Sequence, residues 1–206
     1  MELHSYGRSS ASFRVRIALH LKGIPFDTVA VDLLSDGQRE PGYLALNPQG
    51  VVPTLVDGET VVAQSLAALE YLEELFPEPA LFPPDAAGRA RVRQLALLIA
   101  CEVHPLQNLG VLRALERTFG ANEAQRRAWA RTVIEQGLGA FARIVEAGPR
   151  GRFCHGDAPG MADLCLVPQL FNARRFGCYL SPLARLVEID AACMALPAFQ
   201  RAAPSA

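Results

Sequence analysis

Between positions 77 and 85 the chain reads Pro77-Glu78-Pro79-Ala80-Leu81-Phe82-Pro83-Pro84-Asp85, four prolines in nine residues. Proline lacks a backbone donor and its ring clashes with the preceding helical turn, so neither a helix nor a central strand passes through such a segment. It predicts a linker over 77–85 that separates one domain at 1–80 from another at 86–206. The hydrophobic pattern changes at the same place.

Before the linker, strands and helices alternate. Residues 3–6 form a short extended segment, and from Ser12 the apolar residues Phe13, Ile17 and Leu21 recur at helical spacing until Gly23 and Pro25 stop the helix. A valine-rich strand is expected at 28–31. Residues 53–56 and 60–63 flank Asp57-Gly58, a dipeptide suited to a tight turn with positive φ, which predicts a β-hairpin. Ser65 is placed to cap a further helix, with Leu66, Leu69, Leu72 and Phe76 on one face and Glu70, Glu73 and Glu74 toward water. The order is β-α-β, a loop, then β-β-α. It gives an α/β domain with a mixed four-stranded sheet and helices on its faces, close to the thioredoxin arrangement. Beyond the linker the pattern is helical only, over 86–119, 123–146 and 162–174 with shorter stretches after Pro182, and Pro105 is expected to kink the first of these. The second domain is thus an all-α bundle.

The 20 basic side chains nearly cancel the 21 acidic ones, so no broad positive field invites nucleic acid. The five cysteines are odd in number, far apart and never in a C-x-x-C pair, which points away from a disulfide framework or a metal site and toward a reducing, cytoplasmic setting. The first residues carry no basic stretch followed by an apolar run, so no signal peptide is expected. The longest apolar run, residues 95–101, is far below the roughly 18–20 residues a bilayer requires, so no membrane association is expected either.

Three places in the first domain carry candidate chemistry. Ser9, Ser10 and Ser12 open a helix directly after a strand, where unpaired N–H groups and the helix dipole favour an anion such as a thiolate; equally, one serine is a cap and the others are solvated. Pro53 begins a strand in Val51-Val52-Pro53-Thr54-Leu55. A cis Val52-Pro53 bond would turn the Val52 main chain outward to pair with an extended peptide, whereas a trans bond would make it an ordinary strand edge. Gln64-Ser65 starts another helix, either as a second anion site suited to a carboxylate or as a simple cap. One ligand carrying a thiol, a peptide backbone and a carboxylate would use all three.

The run from Ser9 to Leu19, with Leu46-Asn47-Pro48, Val51-Val52-Pro53-Thr54-Leu55, Gln64-Ser65-Leu66-Ala67, Pro105-Leu106-Gln107-Asn108-Leu109 and Met161-Ala162-Asp163-Leu164-Cys165-Leu166-Val167-Pro168, strongly resembles the zeta-class glutathione transferases. That family holds the maleylacetoacetate and maleylpyruvate isomerases, and the resemblance covers nearly the whole chain. It implies a homodimer that uses glutathione, with Ser9 or Ser10 donating to the glutathione sulfur, Gln64 and Ser65 holding the γ-glutamyl end, and Val52 and Pro53 presenting the edge that pairs with the cysteinyl backbone. Gln38, Gln107 and Asn108 match positions that line the same site. The family's second substrates are small anionic keto acids, for which Arg8 and Arg175 are the expected cations and His104 a third substrate-facing group. Asp163 is assigned to folding, and Arg14 and Arg16 to the surface or to salt bridges.

The resemblance further implies cis-trans isomerisation of a maleyl keto acid: a thiolate adds to the cis alkene, the new single bond rotates, and the thiolate leaves. Maleylacetoacetate is the favoured substrate, because Gly110 offers no extra cation, with maleylpyruvate as the alternative. A broad-specificity transferase and a non-catalytic glutathione-binding protein are the competing readings. Two departures stand out. Ala11 occupies a position where many members carry cysteine, so the chemistry is expected to need no protein thiol, and Gly160 replaces a serine or threonine as a helix cap.

Overall fold

In the computed structural model, which describes residues 1–204, the hairpin around Asp57-Gly58 is formed. Strands β3 (Thr54–Asp57) and β4 (Thr60–Ala63) pair antiparallel, with Thr54 opposite Ala63 and Asp57 opposite Thr60. Gly58 has φ +58°, a left-handed conformation that glycine adopts at no steric cost. Strand β1 (Glu2–Ser5) pairs antiparallel with β3 through Leu3 and Leu55, and parallel with β2 (Asp27–Ala30) through Leu3 and Thr28. The sheet order is β2-β1-β3-β4. Parallel neighbours require a crossover, supplied here by helix α1 (Ser10–Leu21).

The loop after β2 holds more structure than its sequence suggests. A 3-10 turn at Gly37–Arg39 leads into α2 (Pro41–Leu46), six residues with proline in the first turn, too short for an apolar period to register. Helix α3 (Ser65–Leu75) follows β4. It differs from expectation at both ends: Gln64, not Ser65, is the cap residue, and Phe76 closes the helix as an exposed C-cap. Leu3 and Leu55 of the sheet, Phe13, Val15, Ile17 and Leu19 of α1, and Leu69 and Leu72 of α3 are buried, each side chain contributing about 1.5–3 kcal/mol. Lys22, just past α1, donates from Nζ to Glu73 Oε2 at 2.8 Å, Phe76 O at 2.6 Å and Pro79 O at 2.9 Å, and both Glu73 oxygens accept from the Leu81 N–H at 3.0 Å. One ammonium thereby spends its three donors on the end of α3 and on Pro79 of the proline-rich segment.

A second compact unit spans Phe82–Cys193. It contains α4 (Ala86–Leu97), a π-helical turn at Leu98–Val103, α5 (His104–Gln107), α6 (Leu109–Phe119), α7 (Glu123–Glu146), α8 (Met161–Phe176) and α9 (Ala184–Met194). The interruption expected near Pro105 is the π-helical turn followed by a break at Asn108, whose side chain caps α6 through the Val111 N–H at 3.0 Å. Taken together, the run Ala86–Phe119, helical apart from Asn108, spans 34 residues and holds a window of mean hydropathy 1.4, enough by length and composition alone to cross a bilayer. The uninterrupted stretch 95–101 conceals this, because the apolar positions are spread along the run. Leu97, Leu106, Leu109 and Phe119 are exposed along it.

The chain then returns to the first unit, which comprises Met1–Leu81 and the residues from Met194 onward. Helix α10 (Pro197–Ala202) packs against α1, burying Phe199 and Ala202, while Arg16 Nε donates to Ala202 O at 2.9 Å. The structure thus departs from a single division into 1–80 and 86–206. A short helix after a long helical stretch gives no sequence signal of which unit it joins.

Asp163 lies in the first turn of α8, fully buried, and accepts from Cys154 N on Oδ1 and Gly160 N on Oδ2, both at 2.9 Å. Glycine at 160 has no side chain to cap with, so only the carboxylate half of a capping box exists. Burial pushes the Asp163 carboxyl above its ordinary range, opposed by these N–H donors. An amide would turn a donor toward one of two N–H groups. Asp163→Asn is therefore expected to lower the unfolding free energy by about 2–3 kcal/mol in a denaturant titration; an unchanged midpoint would show that the carboxylate is not what holds the segment before α8.

Candidate active site

Two helices of the first unit begin where a strand has just ended, and each start carries a serine. Ser9 precedes α1 in extended backbone and its Oγ accepts from the Ser12 N–H at 3.2 Å. That is an N-cap bond, and it uses the oxygen while leaving the hydroxyl hydrogen for another acceptor. Ser10, the first helical residue, is only 3% exposed, against the half-buried Ser9. Arg8 is exposed, with Nη2 donating to Tyr6 Oη at 3.3 Å beside the Ser9 cap.

At the second start, Ser65 is buried and its Oγ accepts from Arg14 Nη1 at 3.1 Å. Arg14 lies one turn beyond Ser10 on α1, so this bond ties the two helix starts together across 51 positions of sequence. The assignment of Arg14 to the surface is wrong: it is 1% exposed. Its position four residues after Ser10, on the face that also carries Ile17, was the available signal. Arg16 is half-buried and bonded to Ser5 Oγ, Gly7 O and Ala202 O rather than to a carboxylate, and burial lowers its pKa to about 10.

Gln64, before Ser65, has φ 74° and ψ 120°, a combination that costs a residue with a Cβ about 1–3 kcal/mol. Its Nε2 donates to Gln49 Oε1 at 2.6 Å. From there a connected set of bonds runs to the proline strand. Gln49 N donates to Asn47 Oδ1 at 3.1 Å, Asn47 Nδ2 donates to Val51 O at 2.8 Å, and Tyr43 Oη donates to the same carbonyl at 2.6 Å while accepting from Thr54 Oγ1 at 2.9 Å. Burial raises the Tyr43 pKa, partly offset by its bonds to Thr54 and Asn47, so the phenol remains a donor. Gln49 and Tyr43 were not singled out by the sequence, and Asn47 only as part of a family motif. Their partners are too distant in the chain to be read from spacing.

The Val52-Pro53 bond is cis, as the sequence reading allowed. The Val52 side chain packs with Val31 and Tyr43, and its main chain makes no hydrogen bond among the described residues. Gln38 is 8% exposed, with Nε2 on Asp36 Oδ1 at 3.1 Å and Oε1 buried without a partner. A buried acceptor in that state is costly unless a ligand N–H meets it. Gly50 brings the two segments together: at φ +63° a Cβ there would stand 3.1 Å from Gln38 O and 3.2 Å from the Leu44 side chain.

The structure therefore assembles Ser9, Ser10, Ser65, Gln64, Val52, Pro53, Gln38 and Arg8 on one unit. The donor set fits an extended peptide with an anionic group at either end. All five cysteines lie in the other unit, and Ala11 is buried. Among the described residues no cluster of three metal-ligating side chains occurs. In the second unit, His104 opens α5 half-buried, Gln107 is buried, and Asn108 spends its side-chain oxygen on the α6 cap. Arg175 is exposed at the end of α8, with Nη1 on Asn172 Oδ1 at 3.3 Å and its guanidinium over Phe171.

A β2-β1-β3-β4 mixed sheet with strand-to-helix junctions at residues 9–10 and 64–65 and a cis-proline entering β3 is the thioredoxin-like arrangement. Residues 8–75 match the family model described as "Glutathione S-transferase, N-terminal domain". The maleylacetoacetate isomerase of Rhizobium meliloti is 49% identical over 98% of this chain and 95% of its own length. A holo structure of a maleylpyruvate isomerase, described as a bacterial zeta-class glutathione transferase, is 47% identical with a TM-score of 0.97, covering 99% of this chain and 97% of that one. A maleylacetoacetate isomerase from Anaeromyxobacter dehalogenans, solved with glutathione bound in its active site, is 48% identical with a TM-score of 0.88 over 98% of this chain and 94% of that one. The chain belongs to the glutathione transferase family, in its zeta class.

The strained cap is open to a direct test. Gln64→Gly removes the Cβ penalty at φ 74° and is expected to raise the unfolding free energy by about 1 kcal/mol, whereas Gln64→Ala, which keeps the Cβ, does not. A glycine variant less stable than the alanine variant would contradict strain at this position.

Proposed function

We propose that the protein is a glutathione-dependent cis-trans isomerase of a small maleyl keto acid, with maleylacetoacetate as first substrate and maleylpyruvate as second, serving aromatic amino-acid (tyrosine) catabolism. The observation that carries the reading is the state of the two serine hydroxyls. Each has its oxygen occupied by a donor of this chain, and each keeps a hydrogen for an anion at a helix start.

The chemistry that glutathione supplies when bound is reversible addition of its sulfur to the cis double bond, which allows that bond to rotate before the sulfur departs. Ser9, less buried than Ser10, is the donor to the sulfur, and the α1 N-terminus adds its dipole. Both favour the ionised thiol. Gln64 and Ser65 hold the γ-glutamyl end, the Val52 main chain before Pro53 pairs with the cysteinyl amide, and Gln38 Oε1 accepts a peptide N–H. Gln107 and Asn108 complete the glutathione contacts. Arg8 binds the carboxylate of the keto acid and stabilises charge that develops on it, with Arg175 and His104 as further substrate-facing groups. Arg8 is well suited to this, because it is exposed and its hydrogen bond among the described residues goes to a hydroxyl, that of Tyr6, and not to a carboxylate.

The exposed apolar side chains along Ala86–Phe119 support a homodimer, in which this surface meets a second copy instead of lipid. Five free cysteines accord with a cytoplasmic location. A sedimentation mass near 22.3 kDa rather than twice that would contradict the dimer.

Glutathione should accelerate conversion of maleylacetoacetate to its trans isomer, followed by ultraviolet absorbance, with kcat/KM greater than for maleylpyruvate. Ser9→Ala is expected to cost about 10²–10³-fold in kcat. Loss of the hydrogen bond raises the thiol pKa, so the rising limb of the pH–rate profile moves upward, toward about 8.5. No glutathione-dependent conversion of either substrate would remove the isomerase reading in favour of a broader transferase.

A further inference from the structure

Arg14 is a guanidinium with almost no exposure, placed between the starts of α1 and α3. A guanidinium only donates. In its contact with Ser65, the serine oxygen is therefore the acceptor, and the Ser65 hydrogen cannot point back along that bond. Ser65 Oγ makes no other hydrogen bond among the described residues. The buried hydroxyl is thus polarised by a cation behind it, with its proton directed elsewhere. Ser65 stands in the first turn of α3, where the free N–H groups and dipole favour negative charge. A hydroxyl in this state is a poor acceptor and a strong donor. It discriminates against an ammonium or an amide N–H and for a carboxylate.

Resting on the glutathione reading above, we infer that Arg14 is the positioning residue that makes the Ser65 helix start selective for the carboxylate of the γ-glutamyl group. It acts through Ser65 and touches neither the ligand nor the reacting atoms. The same side chain spans from one turn past Ser10 to Ser65, so it also fixes the spacing between the thiol end and the carboxylate end of the peptide. A ligand of glutathione's length is measured by one side chain.

The test is calorimetric and needs no turnover. Glutathione and γ-aminobutyryl-cysteinyl-glycine, which lacks only the glutamyl carboxylate, are titrated into the full-length wild type and into Arg14→Met, Arg14→Lys and Ser65→Ala. Arg14→Met is expected to weaken glutathione about tenfold and the analogue by less than about twofold, because only the first ligand presents the group that Ser65 selects. Arg14→Lys, which keeps a cationic donor, loses less than Arg14→Met. Ser65→Ala keeps Arg14 in place and shows the same discrimination between ligands. Equal losses for the two ligands indicate a general packing role and overturn the inference, as does a methionine variant as strong as the lysine one. Should neither Arg14 variant fold, a Ser65→Ala protein that binds both ligands like the wild type overturns it as well. A wild type that binds neither ligand overturns the glutathione reading itself, a distinct outcome.

Discussion

The bond from Arg14 to Ser65 is the constraint around which the first unit's site is organised. A cation buried to this degree is costly unless its donors are met, and the fold meets one of them with a hydroxyl at the first position of another helix. This fixes α1 against α3 at the level of their N-termini, not merely along their apolar faces. Both helix starts then stand at a defined separation, with Ser9 at one and Ser65 at the other. The hydrogen bonds that run from the Gln64–Gln49 pair to the Val51 carbonyl, held by Asn47 and Tyr43, extend the same polar frame to the cis-proline strand.

The frame suits a domain that, in the proposed reaction, activates a nucleophile without a cysteine of its own. Ala11 is buried and carries no thiol, and every cysteine lies in the helical unit. Burial raises the thiol pKa of Cys154, Cys178 and Cys193, for Cys178 to about 11, so these groups are held protonated near neutrality. In the proposed reaction the reactive sulfur comes with the peptide. The protein's proposed part is to offer a hydroxyl hydrogen and helix N–H groups to the sulfur, and a second set of donors to the opposite end. The strain at Gln64 is consistent with such a site, since an unfavourable backbone conformation persists where the surroundings over-determine it.

Much of this was legible in the sequence where the signal is local. Asp57-Gly58 specifies the hairpin, the prolines of 77–85 mark where one pattern ends, and the serines before Phe13 announce a helix start after a strand. At Ser9 the oxygen caps α1, and that bond leaves the hydroxyl hydrogen open to the anion reading proposed above. Contacts between distant segments were not legible. Arg14 reads as a surface arginine until α3 is placed over it. Gln49 and Tyr43 lack any local pattern that foretells their partners, α2 is too short to show a period, and α10 returns to α1 although it comes after an all-helical stretch. Ser65 illustrates the limit most clearly, because the residue expected to cap α3 is instead the acceptor for a side chain 51 positions earlier.

In the function proposed here, two serine-bearing helix starts set apart by Arg14 hold glutathione as its thiolate. The most direct measurement of that state is the ultraviolet absorbance of the thiolate in the glutathione complex, recorded as a function of pH. The bound thiol is predicted to ionise well below the ordinary thiol value of about 8.5. A bound thiol that titrates at the value of free glutathione would contradict it.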